Sequence, residues 1–205
     1  MLWILVAIAS ELDFAPPSPV NQADWLTGVE YPDVAIFAEA SGLTQADIFV
    51  DKSGRPKACY VVVSSGAPAI DGQTCAAAMH RGKFNVAKDA AGEPIAGIYR
   101  FAVAWTLHGK KPDTYPADVT LYVAKLPGNQ KSISMTLRYI VDVKGYIEKC
   151  APLVSSGFPA FDVAACQAMS ARYVFAPARD KVGNAWRVVR TQTVAFDIAP
   201  PTDRR

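Results

Sequence analysis

At 205 residues, 51% apolar and 20% charged, the chain has the composition of a globular protein. Its net charge of +2 gives no field strong enough to argue for nucleic acid or an anionic membrane surface, and no block of like charges reads as an interaction tail. Four cysteines and two histidines show no close pair of the C-x2-C kind, so a metal site is not indicated. The chain starts with Leu2-Trp3-Ile4-Leu5-Val6-Ala7-Ile8-Ala9, an apolar run well short of the roughly 20 residues that span a membrane. Two readings stand: a short or truncated secretory signal with Ala7-Ile8-Ala9 as its cleavage site but no basic start, or an ordinary strand or helix turn. Residues 10–22, with Pro16, Pro17 and Pro19, read as a linker, so 1–24 is a lead-in.

Beyond the lead-in the chain repeats itself. Residues 48–105 shifted by 91 fall without a gap on 139–196, with 20 of 58 positions identical. Such self-similarity predicts two copies of one small unit, here 25–108 and 113–199. Units of this size have small cores, and the stretch Gly109-Lys110-Lys111-Pro112-Asp113 is the expected boundary between two independently folding halves.

Each copy is expected to run short helix, strand, strand, helix, strand. Tyr31-Pro32 precedes an Ala-rich stretch, and Tyr115-Pro116 precedes a lead-in seven residues longer. Asp51-Lys52-Ser53-Gly54 and Asp142-Val143-Lys144-Gly145 fit a turn with Asp first and Gly fourth, flanked by β-branched strands. Pro152 in the second outgoing strand predicts an edge or a bulge. Ser-Ser-Gly-x-Pro-Ala-x-Asp at 64–71 and 155–162 ends that strand, with Asp71 and Asp162 expected as N-caps of helices over 72–82 and 163–173. Phe84 and Phe175 read as core anchors, Asp89 and Asp180 as ion-pair partners of Arg81 and Arg172, and a last strand covers about 95–106 and 186–198 with Trp105 and Phe196 in the core.

Cys59 and Cys75 in the first copy, and Cys150 and Cys166 in the second, have identical spacing. Disulfides Cys59–Cys75 and Cys150–Cys166 would pin each helix to its sheet in an oxidising compartment; reduced core cysteines are the alternative. His80 and His108 face Ala171 and Ala199 in the other copy, which argues against a metal centre.

The ordered set Tyr31-Pro32, Val50-Asp51-Lys52-Ser53-Gly54, Ser64-Ser65-Gly66-Ala67-Pro68-Ala69-Ile70-Asp71, Arg81-Gly82-Lys83-Phe84 and Gly92-Glu93-Pro94 resembles the TonB C-terminal domain family. The second copy keeps the frame but has Ala185 in place of the last proline. The paired cysteines resemble a disulfide-containing subset of these domains. The resemblance implies an α+β fold: two tandem TonB-C-terminal-like units, each a small antiparallel three-stranded sheet packed by one or two helices. It also implies a periplasmic location and a partner, the N-terminal peptide of an outer-membrane receptor, bound by adding a strand to a sheet edge. Family transducers carry a membrane helix and a long Pro-rich spacer, and neither is seen in this sequence.

The expected edge is the last strand of the first copy, at Ala96, Ile98, Tyr99, Arg100, Ala102 and Ala104. The second copy has Arg187, Arg190 and the polar run Thr191-Gln192-Thr193 there. Two functions follow: a peptide-binding adapter for receptor-mediated transport, or a structural module of the envelope without a receptor peptide. An enzyme is not indicated, since the Ser-Ser-Gly segments lack a G-x-S-x-G elbow and a base present in both copies, and no cofactor is implied.

Overall fold

The computed structural model describes residues 14–20, 22–26, 31–107, 115–180 and 182–199. The apolar start and the expected boundary at 109–113 lie outside the described residues. In chain order the first half holds β1 (Ser18–Pro19), α1 (Gln22–Leu26), α2 (Asp33–Phe37), β2 (Gly42–Val50), β3 (Pro56–Val63), α3 (Pro68–Arg81), β4 (Phe84–Asn85), β5 (Ala87–Lys88) and β6 (Pro94–Trp105). The second holds β7 (Val119–Val123), β8 (Ser132–Val141), β9 (Ile147–Val154), α4 (Pro159–Arg172), β10 (Ala178–Arg179), β11 (Ala185–Trp186) and β12 (Val188–Ile198).

Each copy contains the expected antiparallel three-stranded sheet, β3-β2-β6 in the first and β9-β8-β12 in the second. These do not stand apart. The last strands β6 and β12 pair in parallel, Ala96 beside Val188 and Gly97 beside Val189, so one sheet runs β3-β2-β6-β12-β8-β9, with β7 added to the upper part of β12.

The two helices cover opposite faces of this sheet. Phe101 and Val103 of β6 pack with Ile70 and Ala78 of α3, whereas Ala96 of β6 joins Val188, Ala165 and Met169 in the cluster under α4. Equivalent strands that are parallel and adjacent, with their helices on opposite faces, are related by a half-turn about an axis along the strands. Such an axis turns equivalent residues to opposite faces, so neighbours sharing a face must be slipped by one position. Val188 accordingly stands beside Ala96, whose counterpart in the repeat is Arg187.

The halves also share their interior. Phe49 and Ala96 of the first belong to the core of the second, with Phe49 edge-on to Trp186 at 5.8 Å. A further cluster unites Phe14, Ala87 and Ile95 with Ile140, Ala151 and Val189. The two halves therefore meet in one sheet with joined cores, each covering sheet face that the other leaves bare.

From Phe14 to Val20 the lead-in is packed on the rest of the chain. Phe14 is fully buried beneath the Arg138 guanidinium, Ala15 bridges Lys88, and Ser18–Pro19 pair with Asn85–Phe84. Pro17 crosses Gly97 so closely that a Cβ there would lie 2.5 Å from its ring. Trp25 of α1 is the hub of the first core, with Phe84, Phe101 and Tyr99 rings at 5.1, 5.9 and 6.2 Å. Among the described residues the second copy has no lead-in helix; Tyr115-Pro116 leads into β7, which finds an open edge on β12.

Both disulfides are formed within their copies, Cys59–Cys75 between β3 and α3 and Cys150–Cys166 between β9 and α4, with Cα separations of 5.7 and 5.6 Å. Pro152 falls, as its missing donor requires, on the edge strand β9, next to an irregularity opposite Thr136 and Leu137.

Candidate functional site

The six residues expected to form the binding edge all lie on β6, but β6 is not the free edge of a terminal strand. On one side it is paired with β2 along its length, from Gly97 opposite Val50 to Trp105 opposite Gly42. On the other, Ala96 and Gly97 are occupied by β12. The joining has a physical reason: two copies whose last strands were both open would carry two unpaired edges, and pairing them at Ala96–Gly97 and Val188–Val189 covers part of each. The six also divide by face. Tyr99 points to the α3 side, against Trp25 and Phe84, and its hydroxyl donates to Gln22 Oε1 at 2.7 Å. Ala96 and Ile98 pack toward the second core, while Ala102 and Ala104 are exposed.

Above Gly97 the two strands part around a charged wedge. Arg100 grips Asp47 of β2 with two bonds, Nε to Oδ1 at 2.7 Å and a terminal nitrogen to Oδ2 at 2.9 Å, and also pairs with Asp118. Asp47 Oδ2 accepts a further bond from Arg190 at 3.2 Å, and Asp118 Oδ2 accepts the Thr193 amide at 2.7 Å. Four charges of alternating sign thus fasten β2, β6, β12 and the segment before β7. Burial works against the Arg100 cation, but Asp47 and Asp118 outweigh it and hold its pKa above the usual value. Arg190, only 8% exposed and lying over the Phe175 ring at 4.1 Å, is shifted downward by burial despite Asp47. Between the parting strands lies a polar notch of about 230 Å³ lined by Gln45, Arg100, Ala102, Asp118, Thr191 and Thr193. The polar run of β12 is therefore the far wall of the β6 edge. Asp118 was not singled out by sequence; its only signal was the longer second lead-in.

The repeated motifs are structural brackets. Asp51 accepts the Ser53 and Arg55 amides and Asp142 those of Lys144 and Tyr146, closing turns in which Gly54 and Gly145 take positive φ of 77° and 97°. Burial alone would raise the Asp51 carboxyl; the bonds from Ser53, Arg55 and Lys57 bring it down to about 2. Asp71 and Asp162 are not N-caps, because the helices begin earlier, at Pro68 and Pro159. Each instead ties its helix to the serine turn before it. Asp71 accepts Ser64 Oγ at 2.5 Å, the Ser65 amide at 2.9 Å and Thr44 Oγ1 at 2.7 Å; Asp162 accepts Ser155 Oγ at 2.6 Å, and Ser156 through its amide at 2.9 Å and its Oγ at 2.7 Å. These bonds overcome burial and lower both carboxyl pKa values.

Asp89 and Asp180 do not pair with Arg81 and Arg172. They close two further Asp-x-x-Gly turns, and Asp89 also meets Arg187 across the seam at 3.4 Å. Among the described residues no group of three His, Cys, Asp or Glu could hold a metal ion.

A second concavity lies between the halves on the α4 face of the first sheet. A pocket of about 390 Å³ lined by Phe49, Tyr60, Ile98, Pro177, Asp47 and Arg190 adjoins one of about 520 Å³ that reaches Met79 and Trp186; Phe49 lines both.

A family model described as Gram-negative bacterial TonB protein C-terminal matches residues 27–107, nearly the whole of the first copy, from before Tyr31-Pro32 to just past β6. No curated protein and no solved structure matches the chain. The strand, strand, helix, strand order of β2, β3, α3 and β6, with its turn glycine and its Ser-Ser-Gly bracket, is the α+β unit expected from the resemblance. Residues 27–107 are thus similar to the TonB C-terminal domain family.

Proposed function

We propose that this chain is a periplasmic TonB-like adapter linked to receptor-mediated transport at the outer membrane, its second half being a further TonB-like unit, and that it takes a receptor's N-terminal peptide by strand addition. The observation that carries this reading is the family match over 27–107 combined with the state of β6: from Ile98 to Trp105 no described strand pairs with the side facing away from β2. Ala102 and Ala104, small and exposed, leave the backbone of that stretch approachable. Two disulfides support an oxidising compartment, and among the described residues no helix is long and apolar enough to cross a membrane.

The test is titration of the oxidised protein with a receptor N-terminal peptide, read by tryptophan fluorescence. Proline at Tyr99 or Arg100 would break the Trp25 cluster or the wedge, so the probes belong higher on the strand. Ala102→Pro and Val103→Pro sample the two directions in which successive amides point, and one of them removes a donor facing the peptide. Binding below millimolar peptide, lost in one variant, is the expected result. If wild-type protein takes no peptide, or neither proline weakens it, the adapter reading fails.

A second reading, a structural module of the envelope, is favoured by one observation: β12 and Asp118 already fill the lower part of the β6 edge.

A further inference from the structure

The half-turn that relates the two copies gives each slot on one face of the sheet a counterpart on the other face. On the α3 face Phe14 is fully buried, packed with Ala87 and Ile95 of the first half and Ile140, Ala151 and Val189 of the second. The Arg138 guanidinium lies 4.9 Å from its ring and donates to its carbonyl. Beside the ring, Ala15 and Lys88 exchange two backbone bonds of 2.9 Å. The positions 91 residues from those five neighbours are Ala178, Trp186, Phe49, Tyr60 and Ile98. Four of them line the 390 Å³ pocket on the α4 face, and Trp186 lines the adjoining one. The pocket is thus the counterpart of the Phe14 slot. The residue 91 positions on from Phe14 is Trp105, which belongs to the first core with its indole donating to Thr74, and is not there to fill it.

The polar fittings of the two slots differ. Asp47 stands where the filled slot has Arg138, and Arg179 where it has Lys88. Asp47 is spent on Arg100 and Arg190, and Asp118 answers Arg100, so the wedge as a whole is neutral. Arg179 is the charge left over. Among the described residues no carboxylate pairs with it, and its guanidinium donates to the Gly183 carbonyl at 2.7 Å. Its neighbour Asp180 is taken up by the Val182 and Asn184 amides and the Trp186 indole. Arg190, only 8% exposed, adds a buried Nε that has no acceptor among the described residues. The pocket therefore joins a ring-sized apolar space to a surplus cation. The complement of that pair is an aromatic ring carrying one acidic group.

We infer that the pocket between the halves binds a small aromatic carboxylate, its ring among Phe49, Tyr60, Ile98 and Pro177 and its carboxylate on Arg179. The occupant is a free molecule, not a stretch of polypeptide. The filled slot is served by a chain that continues from Ala15 to Ser18–Pro19 and pairs with Lys88, Asn85 and Phe84 on the way. In the counterpart, Pro177 replaces Val86 within that stretch and withdraws a backbone donor. Ala176 replaces Asn85, whose side chain donates to Ser18. A passing chain thus loses its footholds there, while the ring-sized space remains. Phe49, Tyr60 and Ile98 come from the first half and Pro177 and Arg179 from the second, so a bound ligand stabilises their joining. The inference does not depend on what the β6 edge takes.

The test titrates naphthoate into the oxidised, isotope-labelled full-length protein and follows the backbone amide resonances. Saturable shifts around Phe49, Ile98, Ala178 and Arg179, with a Kd below about 1 mM, are expected. The neutral naphthamide should bind about tenfold more weakly, because the charge-assisted bonds are lost. Arg179 is exposed, so its exchange leaves the fold intact. Arg179→Gln should weaken naphthoate about tenfold and abolish its advantage over the amide, a change that a merely structural role would not produce. Arg179→Lys should restore most of the affinity. Lys88→Gln, the same exchange at the filled slot, should leave binding unchanged. Tyr60→Ala should weaken acid and amide alike by about threefold. The inference is overturned if no saturable shift appears up to about 10 mM naphthoate, if the shifts fall elsewhere, or if the acid keeps its advantage in Arg179→Gln. It is also overturned if a peptide with the sequence of residues 14–19 binds in the pocket more tightly than naphthoate, since the occupant would then be a polypeptide.

Discussion

The two halves repeat their local brackets closely and differ in what enters and leaves them. Both have the Asp-x-x-Gly hairpin turn, the carboxylate that collects the serine turn, and the disulfide from the middle strand to the helix. The first is entered through α1 and α2, with Trp25 plugging its core; the second is entered through β7, which lengthens the sheet instead. Motifs whose partners lie within about 16 residues copied faithfully, whereas segments whose partners lie in the other half diverged. The comparison teaches that a short-range bracket folds the same way wherever it is placed, while a strand or helix leading into it takes whichever open surface its surroundings provide.

That comparison can be broken most forcefully at the seam. Arg190→Met leaves Asp47 with one of its two cation partners and removes the guanidinium from Phe175; at a buried pair this should cost about 3–5 kcal/mol. Because the cores are joined, thermal unfolding should remain one transition at lower temperature. Two resolved transitions in the wild type would mean that the halves fold separately after all. Next come the disulfides. Cys75→Ser and Cys166→Ser each open a loop whose ends are 16 positions apart, worth about 3 kcal/mol in the chain-entropy estimate, and denaturant melts should show similar losses for the two. A marked inequality would show that one bracket is already held by its surroundings.

The carboxylates give a smaller effect and a sharper contrast. Asp71→Asn should cost about 2 kcal/mol and Asp162→Asn about 1 kcal/mol, because Asp71 alone also reaches across to Thr44 of β2. Equal costs in chemical denaturation would remove that distinction. Both carboxyls have folded pKa values below the ordinary range. Their contribution is therefore fully present above the unfolded value and is lost as pH falls through the folded one. Stability should hold from pH 7 to about pH 5 and decline below about pH 4, less steeply in the Asp71→Asn variant. The smallest effect is expected at Pro152→Val on the β9 edge. Restoring a donor there should change stability by no more than about 0.5 kcal/mol, and concentration-dependent light scattering should rise as the protected edge is opened.

Much of the fold was legible in sequence because it rests on local chemistry. Gly54 and Gly145 announce their turns through positive φ, Pro152 announces an edge, and the equal cysteine spacing announces a strand-to-helix bond. Both helices start four positions before the expected ones, since Asp71 and Asp162 look like caps but bind the preceding serines. Trp25 and Phe14 carried no local signal, and both proved central to buried clusters.

By itself the sequence determined the repeat, and within each copy the order of the α+β unit, the cysteine pairs that form the disulfides and the likeness of the first copy to TonB C-terminal domains, because these rest on motifs whose residues lie close along the chain. Only the tertiary structure decided that β6 and β12 join in parallel, that α3 and α4 lie on opposite faces, and that the expected binding edge is half filled by β12 and Asp118. Those outcomes turn on which apolar faces and strand edges remain bare once each unit has formed. The residues that cover them, Arg190 against Asp47 or Phe14 against Ile140, stand more than a hundred positions apart, beyond the reach of any local pattern.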